Sequence, residues 1–500
     1  MKDPIEQLRE RMAELADLSH AAHLLNWDQQ TMMPPGGGAA RAEALATIRR
    51  LGHQKFIAPD TGTLLDAAQE ALNGAGDDSD AARLVHVTRR RWEKARRIPV
   101  ELASEMARAA SLAQEAWIGA RARSDFAAFA PYLEHNIDLA RQYVDCLGGF
   151  DCHYDALLDD YEPGMKTAEV ARLFAQLKDE LVPLIATLAD NAERIDDSRL
   201  HGKFDLAGQR RLAERVLELM GFDRSGWRMD DAVHPFATSF GSHDVRITTR
   251  WDESYFPSSL YAAMHECGHG LYEAGIAASL QRTPLGQTES LGIHESQSRM
   301  WENMVGRGRS FSGVLAPLIA ETLGTAIEPD QLFRSVNKVR PSFIRVEADE
   351  ATYGLHIILR FELEQELIEG RLAVTDLPAE WNRRFQESFG LEVPDDAQGV
   401  LQDVHWSTGA IGYFSTYSLG NLISGHLWEQ AHRDIGDLEE RIAAGELSPL
   451  REWLRENVHR HGSKFTSGEL LERVVGAPIS VEPFVAYLKA KLGDAYGLEL

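Results

Sequence analysis

Two histidines four residues apart, with a glutamate directly after the first, constrain this chain more than any other feature. They stand in Met264-His265-Glu266-Cys267-Gly268-His269-Gly270. On an α-helix, residues i and i+4 lie one turn apart on the same face, so the two imidazoles can converge on one cation. Glu266 then stands beside the ion rather than on it. There its carboxylate can hold and deprotonate a water whose pKa the ion has lowered toward about 7. The pattern points to metal-dependent peptide hydrolysis. Local composition agrees, because Gly268 and Gly270 each cost a helix interior about 1 kcal/mol relative to alanine, which predicts that something approaches that face closely. The preceding Leu260-Tyr261-Ala262-Ala263-Met264 is apolar, so the helix is expected to be buried, where imidazoles and carboxylates need partners.

A zinc site needs a third protein ligand. A third histidine six residues after the second, with a glycine three after it, is excluded because those positions are Gly275 and Tyr272. Glu273 shares the face of the two histidines but fails on reach, since residues 265 to 273 span about 12 Å along a helix. The ligand must come from another helix. The next acid-rich segment, 286–303, has Met300, Trp301, Met304 and Val305 at helical spacing and is stopped by Gly306 and Gly308. Ala274-Gly275 and the turn at Thr283-Pro284-Leu285-Gly286 separate it from the first helix. Its candidates are Glu289, His294, Glu295 and Glu302, and spacing alone does not choose among them.

The segment His294-Glu295-Ser296-Gln297-Ser298-Arg299, beyond an H-E-x-x-H, resembles the thermostable carboxypeptidase Taq family of metallocarboxypeptidases. His234-Pro235-Phe236, Asp244-Val245-Arg246-Ile247-Thr248, Ile344-Arg345-Val346-Glu347-Ala348-Asp349 and Gly399-Val400-Leu401-Gln402-Asp403-Val404-His405-Trp406 resemble that family's signature segments in the same order. Leu24-Leu25-Asn26-Trp27-Asp28 and Met33-Pro34-Pro35 are similar as well, so the likeness runs from about residue 24 to at least Gly420. The resemblance implies that Glu295 is the third ligand with His265 and His269, that the ion is Zn²⁺ or Co²⁺, one per chain, and that the enzyme is a homodimer. It also implies broad side-chain tolerance and reluctance toward C-terminal proline. Cys267 occupies a free position of the motif, faces away from the metal by helical geometry, and is expected to be a small packing residue.

Hydrolysis also needs donors for the oxyanion and an anchor for the substrate. His405 and Tyr417, twelve residues apart amid glycines, resemble the His and Tyr pair with which related all-helical zinc peptidases stabilise the tetrahedral intermediate. Tyr413 is a third, weaker candidate. A carboxypeptidase must also recognise a free C-terminal carboxylate, for which arginine is the natural bidentate partner. Arg345 is the first choice and Arg246 the second, with the alternative that Arg246 is structural and paired with Asp244.

The rest of the chain fits a large helical enzyme. Segments 5–25, 100–125, 130–160, 167–195, 205–220, 347–369 and 434–445 carry apolar residues three and four apart. Loops are expected at Met33-Pro34-Pro35-Gly36-Gly37-Gly38 and Asn73-Gly74-Ala75-Gly76-Asp77-Asp78. Phe236–Phe240 and Asp244–Trp251, joined by Gly241-Ser242-His243, predict a hairpin beside the metal helix, whose edge can accept an extended peptide as a strand. Motif segments spread over residues 234–417 predict one domain, residues 1–500, with two lobes around a deep cleft. The net charge of −25 disfavours nucleic acid and anionic membranes as partners. The absence of an apolar leader or an 18-residue apolar run, together with only three cysteines, predicts a cytoplasmic protein without a disulfide framework. The expected fold is thus mostly α, with a small sheet by the metal helix, and the expected activity is release of single C-terminal residues. The alternatives are an oligopeptidase or dipeptidyl carboxypeptidase on a similar scaffold, or a non-enzymatic peptide-binding relative; an intact Glu266 beside all three ligands argues against the last.

Overall fold

The computed structural model of the protein describes residues 3–72, 74 and 76–500. These residues are mostly α-helical, with one small sheet among them. The first helix, Pro4–Thr31, starts where the Asp3 carboxylate accepts the Ile5 N–H and proline occupies the first position, a start that uses an N–H the helix could not have paired anyway. Helices Val100–Arg123, Thr167–Ala189, Leu206–Met220 and Glu350–Ile368 lie where the apolar periodicity predicts them.

Two stretches expected to be continuous are divided by glycines. The 130–160 segment falls into Phe126–Leu147 and His153–Leu158, parted at Gly148 and Gly149, both with positive φ. The 434–445 segment is split at Gly436 between Ser415–Ile435 and Leu438–Ala443. Both breaks fall at glycines with positive φ, a conformation that apolar periodicity does not register. The loop expected at Met33–Gly38 is shorter than predicted, with a 3₁₀ turn over Pro35–Gly37 and a helix from Gly38 to Phe56. Of the loop expected at 73–78, Asn73 and Ala75 lie outside the described residues.

The sheet has three strands, β1 (Trp227–Asp231), β2 (Ala237–Ser239) and β3 (Val245–Thr249), in the order β1-β3-β2. The expected hairpin is β2 against β3, antiparallel, with Ala237 opposite Ile247 and Ser239 opposite Val245. β1 pairs parallel with β3 on the other side, Trp227 opposite Val245. This sheet is seated on the helix that carries His265 and His269, Phe256–Gly275, the expected metal helix. A Cβ at Gly270 would fall 2.5 Å from the Trp227 ring and 2.9 Å from Val245.

The helix Leu291–Arg299 lies against the other side of the metal helix, and a Cβ at Gly268 would fall 2.7 Å from the Ser298 Cα. The two glycines that weaken the metal helix therefore admit two different neighbours, one on each side. Helix Ser415–Ile435 packs on Leu291–Arg299 just as closely, since a Cβ at Gly420 would fall 2.7 Å from the Glu295 Cβ. Ser290 caps Leu291–Arg299 by accepting the Ile293 N–H at 3.0 Å. Buried Glu162 secures the same end, accepting the Ser290 hydroxyl at 2.9 Å and the Gly292 N–H. The helix runs directly into a π-helical segment, Met300–Gly306, a widened turn of the kind common at functional sites. The three cysteines are free, with Cys267 fully buried as a packing residue. No helix among the described residues is long and apolar enough to cross a membrane.

Candidate active site

His265, His269 and Glu295 are brought together by the packing of the metal helix on Leu291–Arg299. One ligand atom from each lies within 4.8 Å of the others. Glu295 Oε2 is 3.7 Å from His265 Nε2 and 3.5 Å from His269 Nε2. A tetrahedral ion with bonds of 2.0 to 2.1 Å separates its ligand atoms by about 3.4 Å, so the three donors fit Zn²⁺ or an ion of similar size. Two imidazoles and one carboxylate, with no thiolate, are also a donor set that such ions accept.

The groups around the ligands set their protonation and orientation. His265 Nδ1 meets Glu302 Oε2 at 2.9 Å, which fixes the tautomer with the Nδ1–H donated outward and the Nε2 lone pair facing Glu295. Burial opposes charge on that ring, but Glu295 and the bond to Glu302 raise its pKa. Glu302 is held in turn by Arg307, at 2.6 Å, and lies 3.6 Å from Arg299. Burial would raise the pKa of Glu295, yet Arg299 and the two histidines outweigh it and keep the carboxyl well below the usual range. Arg299 Nε donates to Glu295 Oε1 at 2.7 Å, leaving Oε2 toward the histidines. His269 is pushed down to about 3 by burial and by neighbouring His294, so it is neutral at ordinary pH, as a metal ligand must be.

His294, one of the open candidates, is not among the grouped ligand atoms. It stacks on His269 with ring centres 4.2 Å apart and is held by Glu273 at 3.1 Å. Glu273 also accepts from Thr288 and Ser239, which ties the metal helix to β2. Glu289 pairs with Arg90 and Arg91. Glu302 meets His265 at Nδ1 and is not among the grouped ligand atoms.

Glu266 is 6 % exposed and accepts no hydrogen bond from any described residue. Burial, partly opposed by His265, raises its pKa to about 7. A carboxyl of that pKa, one position from a ligand, can both take and return a proton near neutral pH.

The segment 405–417 comes to the same place on the other side. His405 Nε2 and Tyr417 Oη are 3.4 Å apart. Tyr413 packs edge-on against Tyr417 at 5.3 Å. Burial is the main cause of the raised pKa of both phenols, and the Glu295 charge adds to it, so both remain protonated donors close to the ligand set. Burial lowers His405 to about 4, which leaves the ring neutral.

The two candidate arginines differ from a free fork. Arg345 is buried, with Nε and Nη2 on Asp403 Oδ1 at 3.0 and 2.8 Å and Nη1 on Tyr353 Oη at 3.0 Å. Three of its five N–H groups are thereby committed. It lies 5.2 Å from the centre of the Tyr417 ring. Arg246 forms a two-point pair with Asp244 at 2.9 and 3.0 Å and sits between the rings of Trp27 and Phe240. This is the structural alternative expected for it, and it joins the first helix to the sheet.

Sequence reasoning missed Tyr353, Arg299, Arg307 and Arg360. Tyr353 lies between Arg299, 4.1 Å over its ring, and Arg345. Arg360 donates to Asp403 Oδ2 at 2.6 Å, so one aspartate holds two buried arginines. The arginine at i+4 from Glu295 was visible as a spacing; Arg307 reaches Glu302 five residues back and Tyr353 reaches Arg345 eight residues back, separations that no helical period marks, and Arg360 meets Asp403 only across 43 residues.

A helical scaffold presenting two histidines and a glutamate around a point, with a buried carboxylate adjoining, is the arrangement expected of a metallopeptidase. Comparison with known families then places the chain in one: the model of the Carboxypeptidase Taq (M32) metallopeptidase family matches residues 7–492, and the chain belongs to that family. It is 40 % identical to thermostable carboxypeptidase 1 of Thermus thermophilus over 98 % of this chain and 99 % of that one. It is 35 % identical to carboxypeptidase 1 of Bacillus subtilis over 97 % of each. Among solved structures it resembles the M32 carboxypeptidase from Deinococcus radiodurans R1, with TM-score 0.94 and 40 % identity over 99 % of this chain and all of that one. The Pyrococcus furiosus carboxypeptidase is similar at TM-score 0.95 and 36 % identity over 98 % and 99 %.

Proposed function

We propose that the protein is a metallocarboxypeptidase that removes single residues from peptide C-termini, with broad side-chain tolerance and poor turnover of C-terminal proline. The observation that carries the reading is the convergence of His265, His269 and Glu295 beside a buried carboxylate, Glu266, that has no hydrogen-bond partner among the described residues. His265, His269 and Glu295 would hold one Zn²⁺ or Co²⁺, which when bound supplies Lewis acidity to a water and to the scissile carbonyl. Glu266 takes the proton of the attacking water and passes it to the leaving amine nitrogen. Tyr417 Oη and the neutral His405 donate to the oxygen on which charge develops, with Tyr413 orienting Tyr417.

Arg345 is the proposed anchor for the substrate carboxylate. Asp403 fixes the guanidinium, and its two uncommitted N–H groups lie beside Tyr353 and Tyr417. The edge of β2 is the proposed place for an extended substrate backbone, because β3 is the covered central strand. A single domain with two lobes about a cleft, a homodimeric state and a cytoplasmic location complete the proposal.

The experiment that tests the direction of attack is product analysis on an N-terminally blocked peptide ladder. A carboxypeptidase releases free single amino acids in sequence from the C-terminus and leaves the C-terminally amidated ladder nearly untouched. Release of dipeptides, or internal cuts in both forms, would replace this reading with the dipeptidyl carboxypeptidase or oligopeptidase.

A further inference from the structure

Glu364 lies in the buried helix Glu350–Ile368 and touches neither the ligands nor the proposed donors, yet three hydrogen-bond donors converge on its carboxylate. Tyr154 Oη donates to Oε2 at 2.7 Å, the Gly412 N–H to Oε2 at 3.0 Å, and the Trp406 indole N–H to Oε1 at 2.7 Å. Trp406 directly follows His405, and Gly412 directly precedes Tyr413. One carboxylate therefore ties together both ends of the turn that separates the two halves of the proposed oxyanion site. Asn136 adds a tether at the first end of the turn from another helix, donating to the carbonyls of Trp406 and Ser407 at 3.0 and 3.2 Å. At Gly412 the backbone has φ +93°, and a Cβ there would lie 2.9 Å from the Leu157 carbonyl, so the turn is pressed onto the helix that carries Tyr154.

We propose that Glu364 is a positioning residue that sets the distance between His405 and Tyr417. The proposal rests on the assignment of those two residues as oxyanion donors. Their separation of 3.4 Å is already at the long end of a hydrogen bond, so a shift of a fraction of an ångström in the turn uncouples them. The His405 ring packs on Phe414 and Tyr413, with ring centres 4.5 and 5.4 Å away, both carried by the same turn, and it has no second polar tether: Nδ1 makes no hydrogen bond to a described residue, and Asp403 is 4.0 Å away. Only an acceptor on both oxygens satisfies this arrangement. Glutamine in one orientation turns its NH₂ toward the Trp406 N–H, and in the other toward the Gly412 N–H, so Glu364→Gln releases one end of the turn while nearly conserving volume.

The test is steady-state kinetics of the full-length, metal-loaded enzyme on an N-blocked dipeptide, for Glu364→Gln, Tyr417→Phe and the double variant, with metal content and thermal unfolding measured on each. Glu364→Gln is expected to keep its metal and its KM within about twofold while kcat falls about 10- to 100-fold. The double variant is expected to be no more than about threefold slower than Tyr417→Phe, because the two changes disable the same pair. Unchanged kcat in a folded, metal-loaded Glu364→Gln, or losses that multiply in the double variant, would overturn the proposal. If Glu364→Gln does not fold, Trp406→Phe carries the test: it removes one tether and keeps the acid, so a smaller kcat loss at unchanged KM supports the role and an unchanged kcat refutes it. If Tyr417→Phe alone retains full kcat, the oxyanion assignment fails and this proposal with it. A loss in Tyr417→Phe without one in Glu364→Gln overturns the positioning role alone.

Discussion

Replacing Glu302 with glutamine should weaken metal binding without removing any ligand. The carboxylate of Glu302 faces the His265 Nδ1–H at 2.9 Å and Arg307 Nη1 at 2.6 Å, so it must accept on both oxygens. An amide can accept on one only: in either orientation its NH₂ points at one of the two donors. The lost interaction is a charge-assisted hydrogen bond, worth roughly 1.5 to 3 kcal/mol. Loss of the carboxylate also leaves Arg299, 3.6 Å away, with less compensation near the ion. Outer partners of metal-bound histidines are worth roughly 10- to 100-fold in affinity, about 1.4 to 2.7 kcal/mol, in line with that figure. The assay is competition for Zn²⁺ against a chromophoric chelator at fixed pH, with unfolding temperature as a check on the fold. We expect Kd to rise by 10- to 100-fold while kcat at saturating metal changes much less. A folded Glu302→Gln whose Kd stays within threefold of the parent would refute the reasoning, because His265 would then not depend on its carboxylate partner.

Three further outcomes follow from the packing and the charges. Gly420→Ala places a methyl 2.7 Å from Glu295 Cβ and Cγ, so it should destabilise the fold by about 1 to 3 kcal/mol and weaken metal binding; an unchanged unfolding temperature with full metal content would show that the two helices can part. Burial raises Glu162 to about 7 from an ordinary 4.5, so the unfolded chain ionises it first and stability is lost as pH rises from about 4.5 to about 7, by up to about 3 kcal/mol. Glu162→Gln, which can still accept from the Gly292 N–H, should flatten that part of the curve in urea titrations at pH 5 and pH 8; equal pH dependence in the two proteins would remove Glu162 as its source. Arg345→Ala should lower kcat/KM on a free-acid substrate by about 2 to 4 kcal/mol in transition-state terms and erase discrimination against the matched amide, whereas full retention of that preference would move the anchor elsewhere.

Much of this arrangement was legible in the sequence because it is periodic. The i, i+4 spacing placed His265 and His269 on one face, and Gly268 and Gly270 announced close neighbours, which are the Leu291–Arg299 helix and the β1–β3 pair. The hairpin was visible in the alternation of Val245 and Ile247. Its third strand was not, because the alternation of Trp227-Arg228-Met229-Asp230 lasts only four residues before Asp231, and a parallel partner has no turn to mark it. The choice of Glu295 over Glu302 and His294 came from resemblance, since all three lie on one short stretch of helix. Each of them meets a histidine in the fold, and only the tertiary packing shows that Glu295 alone of the three brings one oxygen to both, 3.7 and 3.5 Å from their Nε2 atoms. Arg345 was conspicuous as an arginine, but its commitment to Asp403, 58 residues on, is a tertiary fact. Glu364 gave no signal at all, because a glutamate in an amphipathic helix reads as solvent-facing until three donors are found around it.

The central claim is a division of labour in which His265, His269 and Glu295 bind the ion and Glu266 moves the proton. The most direct measurement is metal content together with kcat for His269→Ala and Glu266→Gln, each purified in the same Zn²⁺-containing buffer. His269→Ala should lose stoichiometric metal and activity together, whereas Glu266→Gln should keep one equivalent of metal and lose turnover. A metal-free Glu266→Gln, or one that holds its metal and still turns over at the parent rate, would contradict the account.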